Sequence, residues 1–239
     1  MMQREAFEFF EDVDGLSTTT AIMAEMGAAL QRCGIDHFVL SFVPTATENL
    51  ADVMLFDRLP PGYVQAYTER QFTADDPAFR YSQLTSFPFR WLKDAPHDPA
   101  NDARVAELVQ FNRDFALVDG VVVPVASPIV GRLGQVWFGG AEIDLPDRAL
   151  PFLHLMSLTA FNRVLKINGA PSTVTTLTAR EREALTRAAL GETAEQIGKA
   201  LNVSTPTATM HLKHCREKLG ATNITQAVAI ALGHRMLRP

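Results

Sequence analysis

The stretch from Leu177 to Leu237 constrains the chain most, because its helix-start and helix-stop residues fall at spacings that few folds satisfy. Thr178 followed by Glu181 is a capping box, in which hydroxyl and carboxylate each satisfy a backbone N–H that a helix start leaves unpaired. The helix that follows ends at Gly191. Thr193 opens a second, shorter helix with Ala194, Ile197 and Leu201 on one stripe, and Asn202-Val203 makes the turn after it. Ser204 caps a third, with Pro206 in the first turn, where a missing N–H costs nothing. Ala208, Leu212, Cys215 and Leu219 recur at helical spacing, leaving Thr205, Thr209, Met210, Lys213 and His214 on or near the opposite face until Gly220. A short helix, a tight turn and a capped third helix with a polar outward face spell a helix-turn-helix.

Charge points the same way. Residues 176–239 hold nine Lys and Arg against five Asp and Glu, whereas residues 1–175 hold thirteen against twenty-two. A basic module on an acidic chain is what phosphate neutralisation asks of one domain only. The run Leu177-Thr178-Ala179-Arg180-Glu181-Arg182-Glu183-Ala184-Leu185, with Gly191, Ser204-Thr205-Pro206-Thr207, His211 and Lys218-Leu219, resembles the DNA-binding domain of LuxR-type transcription factors. Ala208 stands where that family usually has Val. The resemblance and the helix geometry place Thr209 and Lys213, one turn apart, against bases, with Thr207 and Met210 on the same DNA-facing surface and Lys199, Thr205 and Lys218 toward phosphates. Such a domain leaves the input open, since it also terminates phosphorylated response regulators and large ATPases.

A chain of 239 residues, 47% hydrophobic and 21% charged, divides most naturally into a domain over 1–167, a linker over 168–176 and a DNA-binding domain over 177–239. No apolar run is long enough to cross a membrane and the first residues lack a signal peptide's apolar core, so a soluble, cytoplasmic protein without a membrane partner is expected. Cys33 and Cys215 fall in different proposed domains, each on an apolar helical face or at a helix end, which argues for small buried hydrophobes and against a disulfide or metal site. No cofactor is expected.

In the first domain, residues 1–34 read as helical, with Phe7, Phe10 and Val13 on one stripe and Ile22, Met26, Ala29, Leu30 and Cys33 on another before Gly34. Phe38 to Val43 and Ala51 to Phe56 read as a hairpin of strands, Pro61 to Phe72 as a helix with Tyr63 and Tyr67 on one face, and 100–117 as an amphipathic helix. Gly120 to Val125 and Leu133 to Phe138 are further strands, and Leu145 to Ile167 closes the domain as a helix. This order predicts an α+β protein: an α/β/α sandwich with an antiparallel sheet, followed by an all-α helix-turn-helix four-helix bundle.

The block Leu59-Pro60-Pro61-Gly62-Tyr63-Val64-Gln65-Ala66-Tyr67, then Asp76-Pro77, Pro88-Phe89-Arg90-Trp91 and Gly120-Val121-Val122-Val123-Pro124, resembles the acyl-homoserine-lactone-binding domain of LuxR-type quorum-sensing receptors. With it the resemblance covers nearly the whole chain. Such a ligand carries an amide N–H, an amide carbonyl and a lactone carbonyl, and burying any of them without a partner costs about 1–3 kcal/mol. The resemblance implies that Asp76 accepts the amide N–H, Tyr67 donates to the amide carbonyl and Trp91 packs on the lactone ring. Alternation along the strands would set Val39, Ser41, Val43, Val53 and Leu55 along the acyl tail.

Two departures matter. Tyr63 stands where the family usually has a Trp that donates to the lactone carbonyl, and Trp137, with Gln135 on the same face, where it often has a Ser or Thr facing the ligand. Trp137 either supplies the missing indole donor or fills volume an acyl chain would otherwise use, and either way a short, branched or aryl acyl group is expected. The resemblance also implies a homodimer on promoter DNA, formed through the helix near 150–165 and a terminal helix with Ala227, Ile230 and Ala231 on an apolar face, with RNA polymerase as a further candidate partner. A response regulator would need an acidic pair after a first strand and a lone Asp ending a third, and an enzyme would need a nucleophile elbow or a His cluster. Neither pattern occurs: there is no Gly-x-Ser-x-Gly, and the six histidines are scattered. A LuxR-type regulator that responds to a different small molecule, or to none, stays open as the alternative.

Overall fold

The computed structural model describes residues 2–45, 47–98, 100–127, 129, 132–169, 177–233 and 236–237. The expected linker over 168–176 lies mostly outside them. The chain divides into two compact units, residues 1–127 with 132–170, and residues 171–239 with 128–131.

The first unit begins with α1 (Met2–Val13) and α2 (Thr19–Leu30), the second capped by the Thr18 hydroxyl accepting from Ala21 N–H. The helical reading of 1–34 therefore breaks at 14–18. The α1 stripe is also rotated: Ala6, Phe9 and Val13 are buried, whereas Phe7 is 57% exposed. Then come β1 (His37–Phe42), a four-residue helix α3 (Leu50–Val53) and β2 (Met54–Arg58). The strand expected from Ala51 thus starts three residues late, because the Asp52 carboxylate accepts the Asn49 N–H and closes a helical turn first.

Next follow α4 (Tyr63–Glu69), α5 (Pro77–Ser82), β3 (Phe89–Arg90), α6 (Trp91–Asp94) and α7 (Ala103–Asp114), the last capped by Asp102. β4 (Asp119–Ala126), β5 (Leu133–Gly140) and the long α8 (Leu150–Ile167) complete the unit.

The five strands form one antiparallel sheet in the order β2-β1-β5-β4-β3. Alternation assigns its faces. Phe42 meets Phe161 of α8 edge-on at 5.6 Å, and a side chain at Gly134 would collide with the same Phe161 ring, so the face holding Phe42, Gly134, Val136 and Phe138 packs on α8. The opposite face holds Val39 and Ser41 of β1, paired with Trp137 and Gln135 of β5, and Val122 of β4, also opposite Trp137. Ser82 of α5 bonds Gln135 on that face, which places the α5 layer there. The result is the expected α/β/α sandwich.

The second unit is four helices: α9 (Ala179–Ala189), α10 (Ala194–Leu201), α11 (Thr205–Lys218) and α12 (Ile224–Gly233). Thr178–Glu181 and Thr193–Gln196 both form capping boxes, and Ser204 accepts from Thr207 N–H. Gly191 and Gly220 take positive φ at the two helix ends where the sequence placed them. The α10–α11 turn is tight: Val203 N–H donates to the Gly198 carbonyl at 2.9 Å, and a Cβ on Gly198 would press on the Val203 carbonyl oxygen. Ala227 and Ala231 are fully buried with Leu185, Ile197, Leu212 and Cys215 in the core of this unit. Of the face assigned to dimerisation, Ala227 and Ala231 therefore point inward, whereas Ile230 is half-buried and Leu232 of the same helix is exposed.

Candidate functional site

A small cavity of about 40 Å³ opens on the α5 side of the sheet, lined by Val39, Leu50, Leu59, Tyr63, Tyr67, Asp76, Ala78, Phe79, Gln135 and Trp137. Asp76 is its focus. It caps α5, with Ala78 N–H donating to Oδ1 at 2.8 Å, and Pro77 occupies the first turn, where no N–H is wanted. The Tyr67 hydroxyl donates to Oδ2 at 2.9 Å and the Trp91 indole N–H donates to Oδ1 at 3.4 Å. Three elements, α4, α5 and α6, thus converge on one carboxylate that is 8% exposed. Burial raises the Asp76 carboxyl above its ordinary value, although the Ala78, Tyr67 and Trp91 donors pull it down. Burial, reinforced by the Asp76 charge, holds the Tyr63 and Tyr67 phenols well above the usual range, so both stay hydrogen-bond donors.

Tyr63 spends its donor elsewhere. Its hydroxyl donates to Asn112 Oδ1 at 2.7 Å, inside a cluster with Tyr67, Phe111 and Phe115. Sequence reasoning did not find Asn112, because a polar residue on an amphipathic helix carries no local sign of which tyrosine it faces. It also missed Leu50, Leu59, Ala78, Phe79 and Ser82.

The indole of Trp137 lies across Gly139 and beside Gly120, and a Cβ on Gly139 would collide with the ring. Those two glycines make room for a flat indole on the cavity face. Gln135, two residues earlier, accepts from the Ser82 hydroxyl through Oε1 at 3.1 Å and reaches Ser41 Oγ through Nε2 at 3.5 Å. Ser41 thus stands behind Gln135, outside the lining. Val43, Val53 and Leu55 are also outside it. Val53 belongs to the helical turn α3, and a register shift in β1 takes its pairing from Leu40–Phe56 to Ser41–Met54, skipping Leu55.

In the second unit, α11 presents Thr205, Thr209, Met210 and Lys213 to solvent. Thr209 Oγ1 donates to the Thr205 carbonyl at 3.0 Å, and Lys213 sits 3.7 Å from Glu217. Thr207 is half-buried, its hydroxyl 2.8 Å from that of Ser204, and exposed Lys199 pairs with Glu195 at 2.7 Å. Lys218 is differently placed: its ammonium donates to Glu181 Oε2 at 2.8 Å, serving a buried cap carboxylate that needs a counter-charge. Burial alone would raise Glu181, but Lys218 and Thr178 hold it below its ordinary value. Among the described residues, no helix is long and apolar enough to cross a membrane.

Comparison with known proteins assigns both units. Residues 18–164 match the family described as autoinducer binding domain, and residues 175–231 match the bacterial regulatory proteins of the luxR family. The chain is 32% identical to transcriptional activator protein BjaR1 of Bradyrhizobium diazoefficiens over 99% of this chain and 97% of that one. It is 29% identical to the quorum sensing-dependent transcriptional regulator RpaR of Rhodopseudomonas palustris, over 98% and 96%. Among solved structures, SdiA of Escherichia coli superimposes with a TM-score of 0.70 at 19% identity, covering 98% of each chain.

Proposed function

Because the chain belongs to the luxR family of bacterial regulatory proteins and carries an autoinducer-binding domain, we propose that it binds a homoserine lactone in the first-unit cavity and promoter DNA, as a dimer, through α11. The observation that carries the ligand reading is the Asp76 carboxylate, buried on the cavity wall and held by Tyr67, Trp91 and Ala78. Three donors leave lone pairs on a carboxylate over, since its two oxygens accept at about four sites. An entering amide N–H supplies a further partner. Tyr67 serves the amide carbonyl by turning its hydroxyl from Asp76, as Tyr63 could serve a carbonyl only by giving up Asn112, and Trp91, which stands behind Asp76 outside the cavity lining, is the residue proposed to pack toward the lactone ring.

The preferred acyl group is short, branched or aryl. Support comes from Trp137, whose ring occupies the cavity face that a tail would use and offers a flat surface for an aryl or compact branched group; aromatic pairing adds about 0.5–1.5 kcal/mol beyond area burial. Lys199, Thr205, Thr207, Thr209, Met210, Lys213 and Lys218 form the DNA-facing set, and Lys218 also holds α9 and α11 together through Glu181. The name of BjaR1 makes activation the proposed direction of regulation, with RNA polymerase as a candidate partner.

Mass spectrometry of a lipophilic extract of the purified protein tests the ligand class, and activation by a graded series of homoserine lactones tests the tail. The expected optimum is a compact acyl group that shifts to longer chains in Trp137→Ser. A long straight-chain optimum unmoved by that substitution overturns the tail assignment.

A further inference from the structure

The lactone reading leaves unused a polar cluster on the cavity wall. Gln135 is buried on the central strand β5 and lines the cavity. Its amide offers two donors and a carbonyl oxygen that accepts twice. Among the described residues its partners are the Ser82 hydroxyl, on Oε1, and Ser41 Oγ, at the 3.5 Å limit from Nε2. One N–H and one acceptor site are left over, and exchanging the amide's O and N leaves the same count. A buried amide with half its capacity unmet is costly beside a purely hydrocarbon tail, and a tail carrying its own polar atom removes that cost.

The position is as informative as the chemistry. Asp76 caps one end of α5 and Ser82 is its last residue, so the polar groups at the two ends stand roughly 9 Å apart along that helix. That is the span of a short acyl chain, or of one ring and its linker. Trp137 is two residues from Gln135 on the same face, about 7 Å along the strand, with its indole flat over Gly139.

We propose that the acyl group taken by this cavity ends in a hydrogen-bonding oxygen, a hydroxyl or carbonyl, which the Gln135 amide receives while Ser82 and Ser41 fix its orientation. The proposal rests on the homoserine lactone reading. Gln135 is then the residue that separates an oxygenated tail from a hydrocarbon tail of the same shape, and Ser82 and Ser41 are positioning residues.

The test uses two matched pairs of homoserine lactones on the full-length protein by calorimetric titration: phenylpropanoyl against para-hydroxyphenylpropanoyl, and pentanoyl against ω-hydroxypentanoyl. In one pair at least, the oxygenated member is expected to bind about tenfold tighter, the worth of one well-placed hydrogen bond. Gln135→Leu, close in size, should abolish that preference by weakening the oxygenated ligand while sparing the hydrocarbon one. Should Gln135→Leu fail to fold, Ser82→Ala decides the point, since it removes the contact that orients the amide and should shrink the preference. Equal affinities within both pairs, or a preference unmoved by the substitution, overturn the proposal. If the pairs bind equally and Asp76→Asn still weakens them all, only the distal contact falls; if no member binds, the lactone reading falls with it.

Discussion

Asp76 caps α5 with one carboxylate oxygen and accepts from Tyr67 with the other, so a substitution can separate its structural duty from its proposed binding duty. Asparagine is as good a helix cap as aspartate, and Asp76→Asn should keep α5 folded. Its amide nitrogen, however, would set a donor where Tyr67 and the ligand N–H both bring donors. The expected result is folded protein with lactone affinity reduced by about 1–3 kcal/mol, measured by calorimetric titration, and wild-type affinity would refute the assignment. A pH dependence follows from the same carboxyl. Its native pKa lies above the ordinary 3.8, so in the ligand-free protein its contribution to stability is greatest below that value and declines as pH rises through the native one. A ligand N–H favours the ionised form. Affinity should therefore climb as pH rises through the native pKa, with a proton released on binding in that window. Titrations in two buffers of different ionisation enthalpy read that proton; identical heats with flat affinity contradict it.

At the scale of elements, the second unit was almost fully legible because its signals are local: a hydroxyl three residues before a Glu or Gln, a Pro in a first turn, a Gly beyond a last turn. The first unit was legible in order but not in edges. An apolar run such as Leu50 to Phe56 reads equally as strand or as helical turn followed by strand, and only the Asn49–Asp52 bond decides. No helix is expected between Phe72 and residue 100, although Pro77 sits in the first turn of α5, and in the Phe-rich α1 only packing chooses between Phe7 and Phe9. The family resemblance singled out Asp76, Tyr67 and Trp91, which the structure joins by hydrogen bonds; nothing in the sequence announced Asn112 or the Ser82–Gln135–Ser41 chain. Lys218 shows how an element adds a role. Pairing with the buried cap Glu181 ties α11 to α9, so Lys218→Met should cost about 1–3 kcal/mol of stability, read by denaturant unfolding. Because Glu181 lies below its ordinary 4.5, the stability it contributes is present above that pH and is lost as pH falls through its native pKa. Lys213→Ala, by contrast, should leave stability unchanged and relax preference at one position of each half-site. Equal loss on specific and random DNA would return Lys213 to phosphate contact.

For the whole molecule, the proposed reading requires two copies. The fourteen residues of α11 run about 21 Å, and a single recognition helix in the major groove meets base edges through only three or four side chains. That is too little for discrimination against a genome of competing sites, whereas two copies on a two-fold axis read half-sites about 34 Å apart, one helical turn. With Ala227 and Ala231 committed to the core, the exposed apolar residues on the two helices implied in pairing include Leu155 of α8 and Leu232 of α12, 51% and 41% exposed. An apolar side chain gains from covering such positions and a charged one resists it. Equilibrium sedimentation of the ligand-bound protein at micromolar concentration should therefore show a dimer. Leu155→Lys and Leu232→Lys should each weaken it without lowering the unfolding midpoint of the monomer. DNA affinity should then depend on half-site spacing in wild type and lose that dependence in the double variant. Ligand-bound wild type that sediments as a monomer while still binding a two-fold site would remove the dimer from the mechanism.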